Sequence, residues 1–528
     1  MSADYLFINI SASDLLSEGK VMKLLLTTIK TDCKYTDYAM RYLYSIVQEA
    51  PLDVEMKTYD KYELDARIYE DIIMGRYNIV YFHCDELNEG HICAVAEMVK
   101  KAAPATAVLV GGMQVSFGTL EFMRRNPWVD YVIRGEGETV LFNFLKSVCS
   151  YEFDFENIPG LAYRVNSEEI AVNDLDEPID LEDLPFPYDA TILDTDLVYY
   201  ETMRGDSLTT SYSRFFPNNK VRSLSLGRVC RELRYFLVRE VKKIVVFDRF
   251  FNFSNERAYR ILEYLIDNDN GISTFEFNID GENLDDETVR LLSEARPGLF
   301  VFNIDVASTN PEVLSAVGRK ENIYQLMYNV TKLLQAGTVK CNIHVTAGLP
   351  EETEALFGRS FNKAYGLAQG SPLKIDFVQL SKGTLLRGDA SKFGYESTSA
   401  TPFDVISNDH MPANDLLRIR QISRVIDAYI GDGGFAASIP RILSDTSMRP
   451  YDLFGRLTDF IAENGWADKI RKPESCARIL RKFAEKAYAS FEDDLKLEVA
   501  TGAIHADLEK LVSEEDIIKF ERDGWDFA

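Results

Sequence analysis

Basic residues are scarce in this chain of 528 residues: 58 Lys and Arg stand against 84 Asp and Glu, a formal net charge of -26 at pH 7. Phosphate backbones are gripped by a surplus of Lys and Arg, so nucleic acid is excluded as a main partner. Cysteine is sparse too. The seven residues (Cys33, Cys84, Cys93, Cys149, Cys230, Cys341 and Cys476) are dispersed and odd in number. That argues against a disulfide framework and for a reducing, cytoplasmic setting. No apolar run approaches the ~20 residues that span a bilayer, and no basic stretch followed by an apolar one opens the chain. A membrane span and a secretory leader are therefore not expected. Core-forming material is ample, with 46% hydrophobic residues, 27 Tyr and 32 Phe, and the length implies two or three domains.

After a 20-residue extension, residues 21–150 alternate short apolar runs with amphipathic stretches. MKLLLTTI (22–29), DVEMKT (53–58), NIVYFHC (78–84) and TAVLVGG (106–112) read as strands. The segments between them carry apolar residues at helical spacing, as Tyr38, Tyr42 and Ile46 do. This is the pattern of a doubly wound, Rossmann-like α/β domain, whose ligands sit beyond the carboxyl ends of the strands. Thr27 to Lys34, His83 to Asn88 and Gly111 to Ser116 would line that rim. Residues 151–195 hold a hairpin-like stretch (161–173) and an acidic, Pro-containing connector, DLDEPIDLEDLPFPYD. From 196 to 400 about six longer strand–helix units suggest a partial or complete β/α barrel with its site at the strands' carboxyl ends. Residues 401–528 are mostly helical.

Two strings in the first domain are specific: VGGMQVSFG and VDYVIRGEGE. They resemble the cobalamin-binding domain that precedes many radical SAM domains. By that resemblance Gly111, Gly112, Ser116, Gly135, Glu136, Gly137 and Glu138 would border the corrin. No Asp-x-His-x-x-Gly occurs to supply a histidine to cobalt, and many of these relatives lack it as well. The barrel opens on ETMRGDSLTTSYSRFF, which resembles the radical SAM frame E-(S/T)-x-R-G followed by C-x-x-x-C-x-aromatic-C. Glu201, Thr202, Arg204, Gly205 and the aromatic Tyr212 match, but the three cysteine positions are Asp206, Thr210 and Ser213. Downstream, VVFDRFFN with Asp248 and Arg249, FVFNIDVAST, and HVTAGLPEET with Gly348, Leu349 and Pro350 resemble further strings of the group. These residues and Tyr212 are the expected SAM side. Ala307 replaces a common Gln, and Asn278 and Asp280 fall in the third strand string. The order of domains resembles the subgroup DUF4080, over roughly residues 21 to 480.

The resemblance implies cobalamin as cofactor and SAM as a second candidate. A [4Fe–4S] cluster is not expected, because Asp, Thr and Ser are poor ligands for it. Three functions follow: a degenerate member that binds its cofactors without radical chemistry, a polar methyltransferase using cobalamin and SAM, or an active enzyme whose cluster is held by other cysteines. The catalytic residues and the substrate stay unassigned.

Overall fold

The computed structural model describes residues 21–31, 36–48, 50–188, 193–206, 210–213, 220–431, 434–489 and 494–525. The expected N-terminal extension (1–20) and Asp32, Cys33 and Lys34 of the expected rim lie outside them.

The first sheet has seven strands: β1 (Lys23–Ile29), β2 (Asp53–Tyr59), β3 (Ile79–His83), β4 (Ala107–Gly111), β5 (Tyr131–Ile133), β6 (Leu161–Arg164) and β7 (Ile170–Val172). Their order is β2-β1-β3-β4-β5-β6-β7, parallel as far as β5. β1, β3 and β4 are almost wholly buried because helices cover both faces. One apolar cluster lies on each face. The hairpin at 161–173, placed with the connector by the sequence, is an antiparallel extension of this sheet: β6 pairs with β5, Tyr131 opposite Tyr163. Its alternating side chains give β5 a neighbour where the parallel winding stops.

The second sheet begins with β8 (Leu197–Tyr200); β9 (Met203–Arg204) and β10 (Arg222–Ser223) form a short antiparallel pair beside it. β11 (Lys243–Val246), β12 (Thr274–Ile279), β13 (Phe300–Ala307), β14 (Lys340–Ala347) and β15 (Leu373–Phe377) follow in parallel, in the order β15-β14-β13-β12-β11-β8. The barrel is thus open, with β8 and β15 as its edges. Strict alternation explains its two faces. Phe300, Phe302 and Ile304 of β13 turn outward into the core under the helices, while Asn303 and Asp305 turn inward. The helices begin on short polar caps, such as Asp285 accepting from Thr288 N and Thr353 accepting from Leu356 N. After β16 (Glu396–Ser397) and β17 (Val405–Ser407), six helices between Ala413 and Asp523 complete the described tail. They share one continuous core with the barrel. Among the described residues no helix is long and apolar enough to cross a membrane.

Candidate functional site

The rim of the first sheet faces the mouth of the barrel, and the two are fastened on both flanks. On one flank Tyr38 and Tyr42, from the helix Thr36–Val47, are buried in the barrel's core. The Tyr38 ring stands edge-on to Phe247 at 5.0 Å. On the other, Lys382 reaches Glu89 at 3.3 Å and the Phe117 ring lies against Gly383.

Between them sits a buried charge hub. Arg204 of β9 contacts Glu201 at 2.7 Å, Glu138 at 2.6 Å and Glu136 at 3.9 Å. Its guanidinium also lies over the Tyr42 ring, 5.3 Å from the centroid. Arg222 holds Glu136 at 2.5 Å. Burial pushes the Glu201 carboxyl up. Against the same push, Arg204 keeps Glu138 below the usual carboxylate range. The carboxylates of Glu136 and Glu138, expected beside the corrin, are thus directed at the barrel's first loop.

The glycines of the rim are demanded by their own neighbours. A Cβ on Gly111 would meet the Tyr81 hydroxyl at 2.3 Å, and one on Gly112 (φ +108°) the Cys84 carbonyl oxygen at 2.4 Å. Ser116 joins the two rim loops: its hydroxyl donates to Gly112 O (2.9 Å) and accepts from Gly135 N (3.0 Å). Gln114 in the same turn is fully buried, and its Oε1 has no hydrogen-bond partner among the described residues. His83 ends β3 here; burial lowers its pKa to about 4, so it is a neutral imidazole.

Asp206, Thr210 and Ser213 come together around one cation. The Thr210 and Ser213 hydroxyls share a hydrogen bond of 2.6 Å. Arg249 donates to Ser213 Oγ (3.3 Å) and lies 3.5 Å from Asp206. The backbone of Ser211 is clamped from both sides, to Val317 O at 2.9 Å and from Leu386 N at 2.7 Å. Tyr212 stands beside the buried Arg319, which is 3.0 Å from Asp305 and 2.9 Å from Glu321. Burial pushes Glu321 up to about 7 and the Tyr212 phenol to about 12.

Asp248 lies apart from this group. Its buried carboxylate accepts from Thr202 N (2.7 Å), Thr202 Oγ1 (2.5 Å) and Met203 N (3.1 Å). Burial nonetheless pushes it up to about 6. The Gly348-Leu349-Pro350 turn follows β14, with Gly348 at φ +87° and its carbonyl accepting from Tyr395 and Asn408.

Below the mouth the inward side chains enclose a chamber of about 580 Å³. Asn278, Asn303 and Asn342 stand in register on β12, β13 and β14. Asn342 donates to Asn303 at 2.8 Å, and Asn303 to Glu276 at 2.9 Å. Glu276 is paired with Lys243 at 2.7 Å, and His344 with Asp376 at 2.8 Å. Against the downward push of its burial, Asp376 and then Asp305 raise the His344 pKa. Of this set only Asn278 stood out in the sequence, although FVFNID and KCNIHVT, like FEFNID, carry a polar residue at every second position of otherwise apolar strands.

Two family models match the chain: "Radical SAM superfamily" over residues 209–364 and "Protein of unknown function (DUF4080)" over residues 391–527. Residues 209–364 are similar to the radical SAM superfamily. The chain's similarity to the cobalamin-dependent radical SAM methyltransferase TokK of Streptomyces tokunonensis is 26% identity over 294 residues, 52% of this chain and 42% of TokK. With the 2-(S-pantetheinyl)-carbapenam-3-carboxylate methyltransferase of Streptantibioticus cattleyicolor it shares 26% over 167 residues, 29% of this chain and 24% of that one. The chain therefore spans less than half the length of these curated relatives. In fold it superposes on the cobalamin-dependent S-adenosylmethionine radical enzyme OxsB with TM-score 0.60 at 12% identity, covering 93% of this chain and 84% of OxsB. It likewise superposes on the radical S-adenosylmethionine methyltransferase TsrM of Kitasatospora setae, with TM-score 0.58 at 15% identity, over 73% and 79% of the two chains.

The radical SAM fold raises the question of which of its groups these residues suit. For a [4Fe–4S] cluster the donor set does not fit: a carboxylate and two hydroxyls stand where thiolates serve, with a guanidinium between them. Among the described residues no three His, Cys, Asp or Glu side chains converge on a metal position. Cobalamin fits better. The Gln114 oxygen, unpartnered among the described residues, and neutral His83 present an acceptor and a nitrogen at the switch-point rim. SAM fits the mouth, where Arg249 Nε is buried without a hydrogen bond among the described residues, beside the rings of Tyr212 and Phe250.

Proposed function

We propose that this chain is a cobalamin-binding member of the radical SAM superfamily that works without a [4Fe–4S] cluster. In this reading it holds cobalamin between the rim of the first sheet and the barrel mouth, through Gly111, Gly112, Ser116 and Gly135. It takes SAM at the mouth, near Tyr212, Arg249 and the Gly348–Pro350 turn, and does not cleave it reductively. The observation that carries the reading is the Asp206–Arg249–Ser213–Thr210 network. There the Thr210 and Ser213 hydroxyls bond to each other, and Arg249 reaches both Ser213 and Asp206. The six described cysteines are free thiols, in keeping with a cytoplasmic home.

The test is anaerobic purification with added iron, sulfide and hydroxocobalamin, read by visible spectrum and iron content. The expected result is retained corrin, iron far below one per chain, and no 5′-deoxyadenosine from SAM and dithionite. About four irons per chain would overturn the cluster-free reading. Loss of corrin in every redox state would remove its cobalamin half.

A second reading, polar methyl transfer, is favoured by the chamber. His344, held by Asp376, stands where it can take the proton released when a heteroatom is methylated. Cobalamin, when bound, would supply the methyl carrier. S-adenosylhomocysteine formed by iron-free, cobalamin-loaded protein would support this reading, and its absence with a full set of candidate acceptors would count against it.

A further inference from the structure

The two walls of the barrel chamber differ in how far their polar groups are already occupied. On β11 to β13 these groups bond to one another or to the backbone. Lys243 reaches Glu276 at 2.7 Å, Asn303 donates to Glu276 at 2.9 Å, and Asn278 to the Asp248 carbonyl oxygen at 2.9 Å. Asp305 accepts from Arg319 at 3.0 Å. On β14 and β15 less is occupied. His344 engages Asp376 through Nδ1 at 2.8 Å. The Thr346 hydroxyl and the Lys374 ammonium have no hydrogen bond or ion pair among the described residues, although both side chains line the chamber.

Lys374 is half-buried and stands opposite His344 in the β14–β15 register, so the two side chains leave the sheet on the same face, on strands about 4.8 Å apart. It is the second residue of β15, toward the chamber floor, whereas Thr346 lies nearer the mouth. The other cations of the lining have carboxylates: Lys243 has Glu276, Arg249 lies 3.5 Å from Asp206, and His344 has Asp376. An inward lysine without an anion is unusual in a chain of net charge -26, where carboxylates are plentiful. A cation held partly out of water without a partner is unfavourable, and a bound anion relieves that. One uncompensated cation suits a singly charged group. A phosphate dianion would leave negative charge in excess beside Asp376 and Asp305.

We propose that Lys374 anchors a substrate carboxylate on the chamber floor, so that the acceptor is a monocarboxylic acid whose remainder extends past His344 and Thr346 toward the mouth. The assignment rests on the methyl-transfer reading above, whose acceptor class it names.

The full chain, labelled with nitrogen-15, is titrated with L-lactate, lactamide, 4-hydroxybenzoate, 4-hydroxybenzamide and inorganic phosphate, and the His344 ring nitrogens are followed by NMR. At least one acid should bind about tenfold or more tightly than its own amide, the discrimination expected of one charge-assisted hydrogen bond. Lys374→Met should erase that difference and Lys374→Arg should keep most of it, with thermal midpoints near the wild type's showing that both variants are folded. Equal affinities in both acid–amide pairs, binding of no probe, or discrimination that survives Lys374→Met would overturn the carboxylate site. Phosphate held more tightly than either acid, and lost in Lys374→Met, would overturn it in favour of a phosphorylated substrate. The two readings fail separately. Lys374-dependent discrimination without S-adenosylhomocysteine formation would keep the site and remove methyl transfer, and S-adenosylhomocysteine formed with an acceptor lacking a carboxylate would do the reverse.

Discussion

Replacing Glu352 by Gln should flatten the alkaline arm of this protein's stability. Glu352 follows the Gly348–Pro350 turn and is fully buried. Its Oε1 accepts from the Ser308 hydroxyl at 3.1 Å, and its Oε2 has no hydrogen bond among the described residues. Burial pushes the carboxyl from 4.5 up to about 8. An acid whose folded-state pKa is raised contributes stability that is complete below 4.5 and is lost as the pH climbs through about 8. Between pH 6 and 8 each pH unit removes about 1.4 kcal/mol, so the wild type should lose roughly 3 kcal/mol that Glu352→Gln keeps. At ~2–4 °C per kcal/mol for a unit of this kind, thermal midpoints of the two proteins should be close at pH 5 and several degrees apart at pH 8. Taking the difference between the proteins cancels the other titrating groups, including Asp248 and Glu321. Parallel pH profiles, or a variant that falls below the wild type at pH 8, would refute the placement of a neutral acid under this turn.

Arg204→Met should leave buried carboxylates without their cation and destabilise the docking of the two domains by roughly 3–5 kcal/mol; faster limited proteolysis of the 174–196 connector would show it. Gly112→Ala should cost the first domain about 1–3 kcal/mol, since φ is +108° and its Cβ would meet the Cys84 carbonyl; a denaturation curve of the variant measures this. His344 should titrate above an ordinary histidine by nitrogen-detected NMR, and Asp376→Asn should bring it down. Its sign is opposite to that of a depressed acid: the contribution is full below pH 6.5 and lost as pH rises through the folded value, and it is small because Asp376 is mostly exposed. Asn303→Ala should leave the Asn342 amide without its acceptor in the chamber wall and cost about 1–3 kcal/mol, read from thermal midpoints.

The alternation of strands and helices was legible because apolar runs of five to seven residues with short loops admit few other arrangements. β1, β3 and β4 and the barrel's strands β11 to β15 lie where the sequence placed them. The hairpin at 161–173 read as a detached element because edge pairing is decided by which strand is left uncovered, and no local residue states that. The rim residues Gly111, Gly112 and Ser116 were legible as a group, yet the reason for the glycines was not. It lies in Tyr81 and Cys84, about thirty residues away in sequence. Asp248 reads from its string as a mouth residue, but its carboxylate faces Thr202, a partner set by the crossing of two loops. The chamber escaped notice because Asn303, Asn342 and His344 are single polar residues inside apolar strings, and only the curvature of the sheet makes them neighbours.

Arg204 bears on how such sequences are sorted. The string Glu-x-x-Arg-Gly resembles the doorstep of iron–sulfur chemistry, yet here its arginine and glutamate are a mechanical joint: they pin one half of the molecule to the other through Glu138 and Tyr42. A joint of that kind is kept under selection for as long as the molecule must hold together, whatever happens to the three positions that follow it. Survival of the doorstep in a genome-scale survey is then a sign of architecture, and the chemistry behind the door has to be judged from residues 206, 210 and 213 themselves.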